Sequence, residues 1–433
     1  MDVVPMKINL AWLLLPVLLI MSSGCATGPQ RNPVPFHLMP EANVPGMGPI
    51  RYWGDEIPRD VVAEFRRTLP YMPRLAESPP ENGKPIVNLL AISSGGNEGA
   101  FAAGLLVGWT QTGRRPRFEV VTGVSAGALI APFAFLGPAY DRQLVTMWTR
   151  YSTRDLIIKM PLTAMFGGSA LADTGPLAEL IAHYVDRPFL DNIAAEYRKG
   201  RILLIGTTNL DAQRPVVWNM TQIAASRHPQ AVTLFRQVIL ASASIPGIFP
   251  PVHIRVEARG EAREEMHVDG GTTQKVFIAP LQLRLHMLDP LYSAPPQFRI
   301  FVINNARMAP EWEAPKDESR AIAERSLRTL SKSQGAGDLI RLYLLAKRDG
   351  AEFNLAFIPS DFRARSHEPF DREYMRALFD VGFVQGRAGD RWFPAPPEVM
   401  GTDMTARRRP HMTLNGCSPM PPLHHTICKY RQQ

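Results

Sequence analysis

The chain has 433 residues, 45% of them hydrophobic and 20% charged, with a formal net charge of +8. That is enough apolar material for a full core in one large domain or two ordinary ones. The positive balance suits an anionic membrane surface or nucleic acid, but no Lys/Arg cluster interleaved with aromatic residues is present, which argues against nucleic acid as a partner.

In chain order, Met6-Lys7 precedes an apolar run from Leu10 to Met21 and then Ser22-Ser23-Gly24-Cys25. A charged start, an apolar stretch too short to span a bilayer comfortably and small residues before a cut describe a signal peptide over residues 1–24. Met6 makes a better initiator than Met1, because Lys7 supplies the positive charge that Asp2 does not. The end of the run resembles a bacterial lipobox, with Ser22 standing where that pattern usually has Leu. The resemblance implies that Cys25 is lipidated as the first mature residue; an ordinary signal peptide and a membrane anchor are the alternatives. Ala26 is not an acidic retention signal, so the same resemblance implies an outer-membrane lipoprotein facing the periplasm. Cys417 and Cys428, the remaining cysteines, suit a disulfide in an exported chain. His424 and His425 lie between them, but the spacing matches no familiar zinc pattern and no metal is expected.

Residues 25–84 are rich in Pro and polar residues and read as a tether and N-terminal segment, partly helical around Arg59 to Thr68. Pro79, Pro80, Asn82 and Gly83 punctuate the chain before a main domain over residues 85–390. Its first run, Pro85 to Ser93, is the length of a strand buried on both faces of a parallel sheet. Ser94-Gly95-Gly96-Asn97-Glu98-Gly99 and a helical run to Trp109 follow. The loop lacks the Lys-Ser/Thr of a phosphate loop and the GxGxxG spacing of a dinucleotide site, so its backbone N–H groups suit an oxyanion hole better.

Phe118 to Thr122 then reads as a strand and Ala126 to Leu136 as a helix, with Gly123-Val124-Ser125-Ala126-Gly127 at the turn between them. A serine between two glycines at a strand-to-helix turn reads as a nucleophile elbow; a Gly/Ser turn with a helix cap is the plainer reading. Two strand–turn–helix units in succession predict a parallel α/β sheet, with both loops at the carboxyl ends of neighbouring strands. Helices are expected over Asp141 to Tyr151, Thr174 to Val185, Asp191 to Lys199 and Leu234 to Ala243, and strands over Arg201 to Thr207, Glu264 to Val268 and Phe298 to Asn304. Met160 to Gly168 reads as a connection or as a mobile lipid-facing loop. Ala321 to Lys347 reads as one or two helices with a break near Gly335 and Gly337, followed by a strand over Phe353 to Ile358 and a helix over Asp371 to Gln385. Residues 391–433 form a Pro-rich basic tail, with Arg407-Arg408-Arg409 solvated or touching anionic lipid.

The glycine loop, the Gly123–Gly127 elbow and Asp269-Gly270-Gly271 occur in an order that resembles the patatin-like phospholipases, and Ala241 to Pro251 is similar to the segment that family carries between elbow and Asp. The resemblance covers about Ile86 to Pro280. It implies a three-layer α/β/α fold with a mostly parallel sheet, and a serine acyl hydrolase acting on lipid carboxylic esters without a cofactor. It further implies Ser125 as nucleophile, Asp269 as base, and the N–H groups of Gly95, Gly96, Asn97 and Ala126 as the oxyanion hole. Glu98 departs from the family pattern, which usually has Arg there, and Ser94 replaces its first Gly. A Ser-His-Asp triad using His286, His367 or His411 is the rival mechanism, and His267 is placed to tune Asp269. A non-catalytic lipid-binding or scaffolding protein and a soluble periplasmic esterase are the rival functions. The expected partners are membrane lipid as substrate and, through the N-terminal lipid, as anchor.

Overall fold

Every residue of Ile86–Ile92 and of Ile202–Asn209 is buried, as strands flanked on both faces must be. The computed structural model describes residues 31–57, 83–159, 170, 172–292, 294–389 and 391–400. Its strands are β1 (Arg51–Trp53), β2 (Ile86–Ile92), β3 (Val120–Val124), β4 (Ile158–Lys159), β5 (Ala172–Asp173), β6 (Ile202–Asn209), β7 (Arg214–Asn219), β8 (Val252–Ala258), β9 (Glu261–Asp269), β10 (Gln297–Arg307) and β11 (Glu352–Ile358). The helices are α1 (Gly99–Thr110), α2 (Ala126–Leu136), α3 (Asp141–Thr149), α4 (Thr153–Leu156), α5 (Gly175–Tyr184), α6 (Arg187–Tyr197), α7 (Met220–Ala225), α8 (Ala231–Ser242), α9 (Ser319–Arg348), α10 (Arg372–Ala388) and α11 (Pro397–Met400). Among the described residues no helix is long and apolar enough to cross a membrane.

The main sheet runs β1-β7-β6-β3-β2-β10-β11, with the β8–β9 hairpin joined to it through β6. The five strands from β6 to β11 are mutually parallel, while β7, β1 and β9 are antiparallel to their neighbours. Side chains alternate between two cores, as a two-residue period requires. Leu90, Ile92, Phe301 and Ile303 face one core, shared with α1, α2, α6, α8 and α10. Val87, Leu89, Ile300 and Val302 face the other, shared with α9. This is the expected three-layer α/β/α arrangement with a mostly parallel sheet.

Residues 31–57, expected to lie in a tether ahead of the domain, instead pack into it. Val34, Leu38, Val44, Met47 and Ile50 are core residues, β1 adds an edge to β7, and Arg31 forms a 2.8 Å ion pair with Asp211. The expected break in α9 is absent: the helix passes through Gly335 and Gly337 without interruption, the roughly 1 kcal/mol that a helical glycine costs being tolerable over 30 residues. Strands β1, β4, β5, β7 and β8 are additions to the predicted set. Cys25 and the signal region, Arg59 to Thr68, Met160 to Gly168, Arg407 to Arg409, His411, Cys417, His424, His425 and Cys428 lie outside the described residues.

Candidate active site

Strand β6 is the ruler on which the site is measured. Strand β7 occupies one flank of it, pairing from Leu204 to Asn209. On the other flank β3 pairs in parallel as far as Val124 opposite Gly206, and β9 takes over in antiparallel, with Asp269 opposite Thr207. Two strands of opposite direction therefore end at consecutive positions of one neighbour. The residue after Val124 is Ser125, so the hydroxyl and the carboxyl meet where the strands stop. The Ser125 side chain stands close enough to the Asp269 carboxyl to favour its ionised form. Gly270 completes the junction: a Cβ there would lie 2.4 Å from the Gly206 carbonyl oxygen, closer than any packed carbon tolerates.

Ser125 has φ 55° and ψ −119°, a left-handed backbone that a side-chain-bearing residue adopts only when its surroundings impose it. Several contacts do so. The Ser125 N–H donates to Ser242 Oγ at 2.9 Å, which in turn donates to the Gly206 carbonyl at 2.7 Å. The Ser125 carbonyl accepts the Ala128 N–H at 2.8 Å and starts α2. The flanking glycines are steric requirements: a Cβ on Gly123 would lie 2.4 Å from the Gly127 oxygen, and one on Gly127 2.2 Å from the Ile92 oxygen. The serine itself is buried, at 4% exposure. Ala126 opens α2, so its N–H has no acceptor within the helix.

Asp269 is 5% exposed and accepts the Gly271 N–H at 2.7 Å. Burial pushes its carboxyl up to about 6, against the opposing pull of the Ser125 side chain, the Gly271 N–H and the Lys275 ammonium. A carboxylate raised in this way is a better proton acceptor than a solvated one. His267 does not contact it: the imidazole is fully buried, bonded to Thr207 Oγ1 at 2.9 Å and to Glu265 at 3.0 Å. Glu265 is paired with Arg51 of β1. His286 and His367, the described candidates for a triad, are exposed, whereas Ser125 and the Asp269 carboxyl beside it are both buried.

The glycine loop leaves β2 beside the elbow. Gly96 has φ +57° and open space where a Cβ would stand, and the Glu98 N–H closes a turn onto the Gly95 oxygen at 3.0 Å. Behind Gly95 stands Asn305 of β10, whose Cβ would be 2.5 Å from an added Cβ. Asn305 donates to the Ser93 oxygen at 2.9 Å and accepts the Ala102 N–H at 3.2 Å, fixing both ends of the loop. The Ser94 N–H donates to the Lys275 oxygen at 2.9 Å, while the Ser94 hydroxyl is buried without a partner among the described residues. Asn97 donates through its side chain to Ser366 at 2.7 Å. Glu98 is pushed up to about 7 by burial, against the Arg307 guanidinium 3.6 Å away. Burial also lowers the proton affinity of Lys275, which faces Asp269, Glu98 and Asp338.

Each described residue proposed for the dyad, the elbow and the oxyanion loop thus falls at one end of the central strands, around the ends of β2, β3 and β9. Sequence reasoning missed Ser242, although the segment that holds it, Ala241 to Pro251, had been singled out. It also missed Asn305, Lys275 and Arg307; the Asn304-Asn305 pair closing an apolar strand was the available signal. A family model for patatin-like phospholipases matches residues 90–281, and no curated protein matches the chain. Among solved structures, VipD from Legionella pneumophila is 12% identical, with 73% of this chain and 70% of that one covered at a TM-score of 0.33. Human GIVD cytosolic phospholipase A2 is 10% identical, with 75% of this chain and 56% of that one covered at a TM-score of 0.29. Within the α/β/α fold, residues 90–281, which carry the glycine loop, the elbow and Asp269, are thus similar to the patatin-like phospholipases.

Proposed function

We propose that the domain is a lipid acyl hydrolase that cleaves carboxylic esters through a Ser125–Asp269 dyad. The observation that carries this reading is the junction on β6, where the ends of β3 and β9 bring a strained serine and a buried carboxyl to neighbouring positions on one strand. Ser125 Oγ attacks the ester carbonyl carbon while its proton passes to Asp269. The oxyanion that forms faces the N–H groups of Gly95, Gly96, Asn97 and Ala126. Collapse expels the alcohol, which takes the proton from Asp269 and leaves an acyl-serine. Asp269 then draws a proton from water, the hydroxide attacks the acyl carbon, and the acid departs as Ser125 regains its proton.

Hydrolysis of p-nitrophenyl esters and of phospholipid vesicles by the parent, Ser125→Ala and Asp269→Asn is the test. Losses of at least about 10³-fold in kcat with folding intact support the dyad. Survival of activity in Ser125→Ala overturns it. A second reading, a lipid-binding protein without catalysis, is favoured only by Glu98 in the glycine loop; it is the outcome if the parent hydrolyses no ester. The lipobox-like residues support export and anchoring at the outer membrane through Cys25, tested by the mass of the mature N-terminus.

A further inference from the structure

Helix α9 buries side chains only from Asp338 onward. Gly335 lies against the stem of Lys275, 3.2 Å from Cδ to the place of a Cβ, so the helix is level with the active site at that point. Residues 319–334 run on past it for roughly 24 Å at 1.5 Å per residue. At 100° per residue, Ile322, Ala323, Leu327 and Leu330 fall on one side of this stretch. Arg320, Glu324, Arg325, Arg328 and Lys332 fall on the other. The charged side is partly engaged: Arg325 pairs with Glu313 at 3.0 Å and Lys332 with Glu311 at 3.2 Å. The uncharged side is open, with Leu327 and Leu330 each 67% exposed. Trp312, between those two glutamates, is 87% exposed.

The neighbouring rim carries charge. Arg307, at the end of β10, bonds to Glu311 on one side and to the Phe362 and Ala364 carbonyls on the other. It thereby ties the Trp312 loop and the loop after β11 to the same place beside Glu98. The second loop also holds Asn97 through Ser366. It exposes Arg363 and Arg365, which have no ion-pair or hydrogen-bond partner among the described residues. Apolar groups and unpaired guanidiniums thus flank one active-site edge, the pattern of an amphipathic element that lies on a negatively charged lipid surface.

We propose that the projecting half of α9, with Trp312 and the Arg363–Arg365 loop, is the surface by which this domain docks on an anionic phospholipid bilayer. Leu327, Leu330 and Trp312 enter the headgroup–acyl boundary, and Arg363 and Arg365 meet lipid phosphates. The choice of lipid as partner rests on the acyl hydrolase reading; the docking itself is read by binding alone.

The test is co-sedimentation of the full chain with phosphatidylglycerol/phosphatidylethanolamine vesicles and with phosphatidylcholine vesicles. Leu327→Ser/Leu330→Ser is expected to lose at least tenfold in binding to anionic vesicles, with a matching loss of vesicle-lipid hydrolysis. Hydrolysis of soluble p-nitrophenyl butyrate and the melting temperature stay at parental values, which excludes a folding defect. Arg363→Ala/Arg365→Ala is expected to weaken binding to anionic vesicles and leave the weaker phosphatidylcholine binding unchanged. Ser125→Ala binds vesicles like the parent, so a failure of the dyad does not disturb this measurement. Parental binding in the Leu double variant, absence of vesicle binding by the parent, or a parental dimer that the Leu variant splits would each overturn the proposal, the last by assigning the face to a second copy.

Discussion

Replacing the Asp269 carboxyl by an amide should make the protein more stable at neutral pH while removing its activity. In the folded chain burial raises this carboxyl from 3.8 to about 6. Below 3.8 the group is protonated in both states and contributes no difference. Between 3.8 and about 6 the unfolded chain releases the proton and the folded chain keeps it, so stability falls as pH rises. Above about 6 the loss is complete and amounts to roughly 3 kcal/mol for a shift of about two units. Asp269→Asn removes this ionisation but keeps an oxygen for the Gly271 N–H, at the cost of Lys275 losing an opposite charge. The net gain at pH 8 is therefore set at about 1–3 kcal/mol, a rise of several degrees in melting temperature. Melting temperatures of parent and variant at pH 5 and pH 8 give the answer as a difference of differences, which cancels the other titrating groups. A gap that widens toward pH 8 fits the reasoning; a gap of the same size at both pH values, or a variant less stable than the parent at pH 8, refutes it. The same ionisation places the acid limb of the parental kcat/KM profile near pH 6, with about a tenfold fall from pH 7 to pH 5.

Gly127→Ala drives a methyl to 2.2 Å from the Ile92 oxygen and should lower stability by about 3 kcal/mol, read by chemical denaturation, with esterase activity falling alongside. Ser242→Ala leaves the buried Ser125 N–H without its 2.9 Å acceptor. A loss of about 1–3 kcal/mol is expected, together with a fall in kcat larger than any change in KM. Arg51→Met strands the buried Glu265 carboxylate and should cost about 3–5 kcal/mol; the Arg51→Met/Glu265→Gln double variant should recover part of it in the same denaturation assay.

The parts of the fold that were legible are those whose local sequence carries its own physical reason. Strands β2 and β6 are continuous apolar runs, and the elbow glycines stand where a Cβ has no room. Strand β7 was not legible because Pro215 interrupts a short run, whereas β8, whose His, Arg and Glu residues alternate outward in the pattern of a half-exposed strand, was legible and passed over. The contacts that hold the site escaped for a different reason. Ser242 is 117 residues from Ser125, and Asn305 is 212 from Ser93; no periodicity links such pairs. The N-terminal segment read as a tether because its core residues, Val34, Leu38 and Val44, are spaced irregularly among prolines and polar residues. The smooth course of α9 through Gly335 was likewise invisible, since the space that glycine leaves is filled by Lys275 from another part of the chain.

The arrival of β9 at the site has a consequence for how the domain can fail. Its register is set at the far end, where Arg259 (φ 50°) and Gly260 (φ 79°) make a two-residue turn between β8 and β9, the kind of turn that fixes a hairpin's pairing. From there the chain counts nine residues to Asp269. A one-residue insertion in the turn would leave every strand in place yet deliver the wrong neighbour to Ser125, and would turn the carboxyl toward the opposite face. The N-terminal segment guards against such slippage, clasping β9 through the Arg31–Glu264 and Arg51–Glu265 pairs and the Pro33 bridge to Glu264. Lesions in a stretch remote from the chemistry would then appear as misalignment of the dyad, in protein that still folds, rather than as lost substrate affinity.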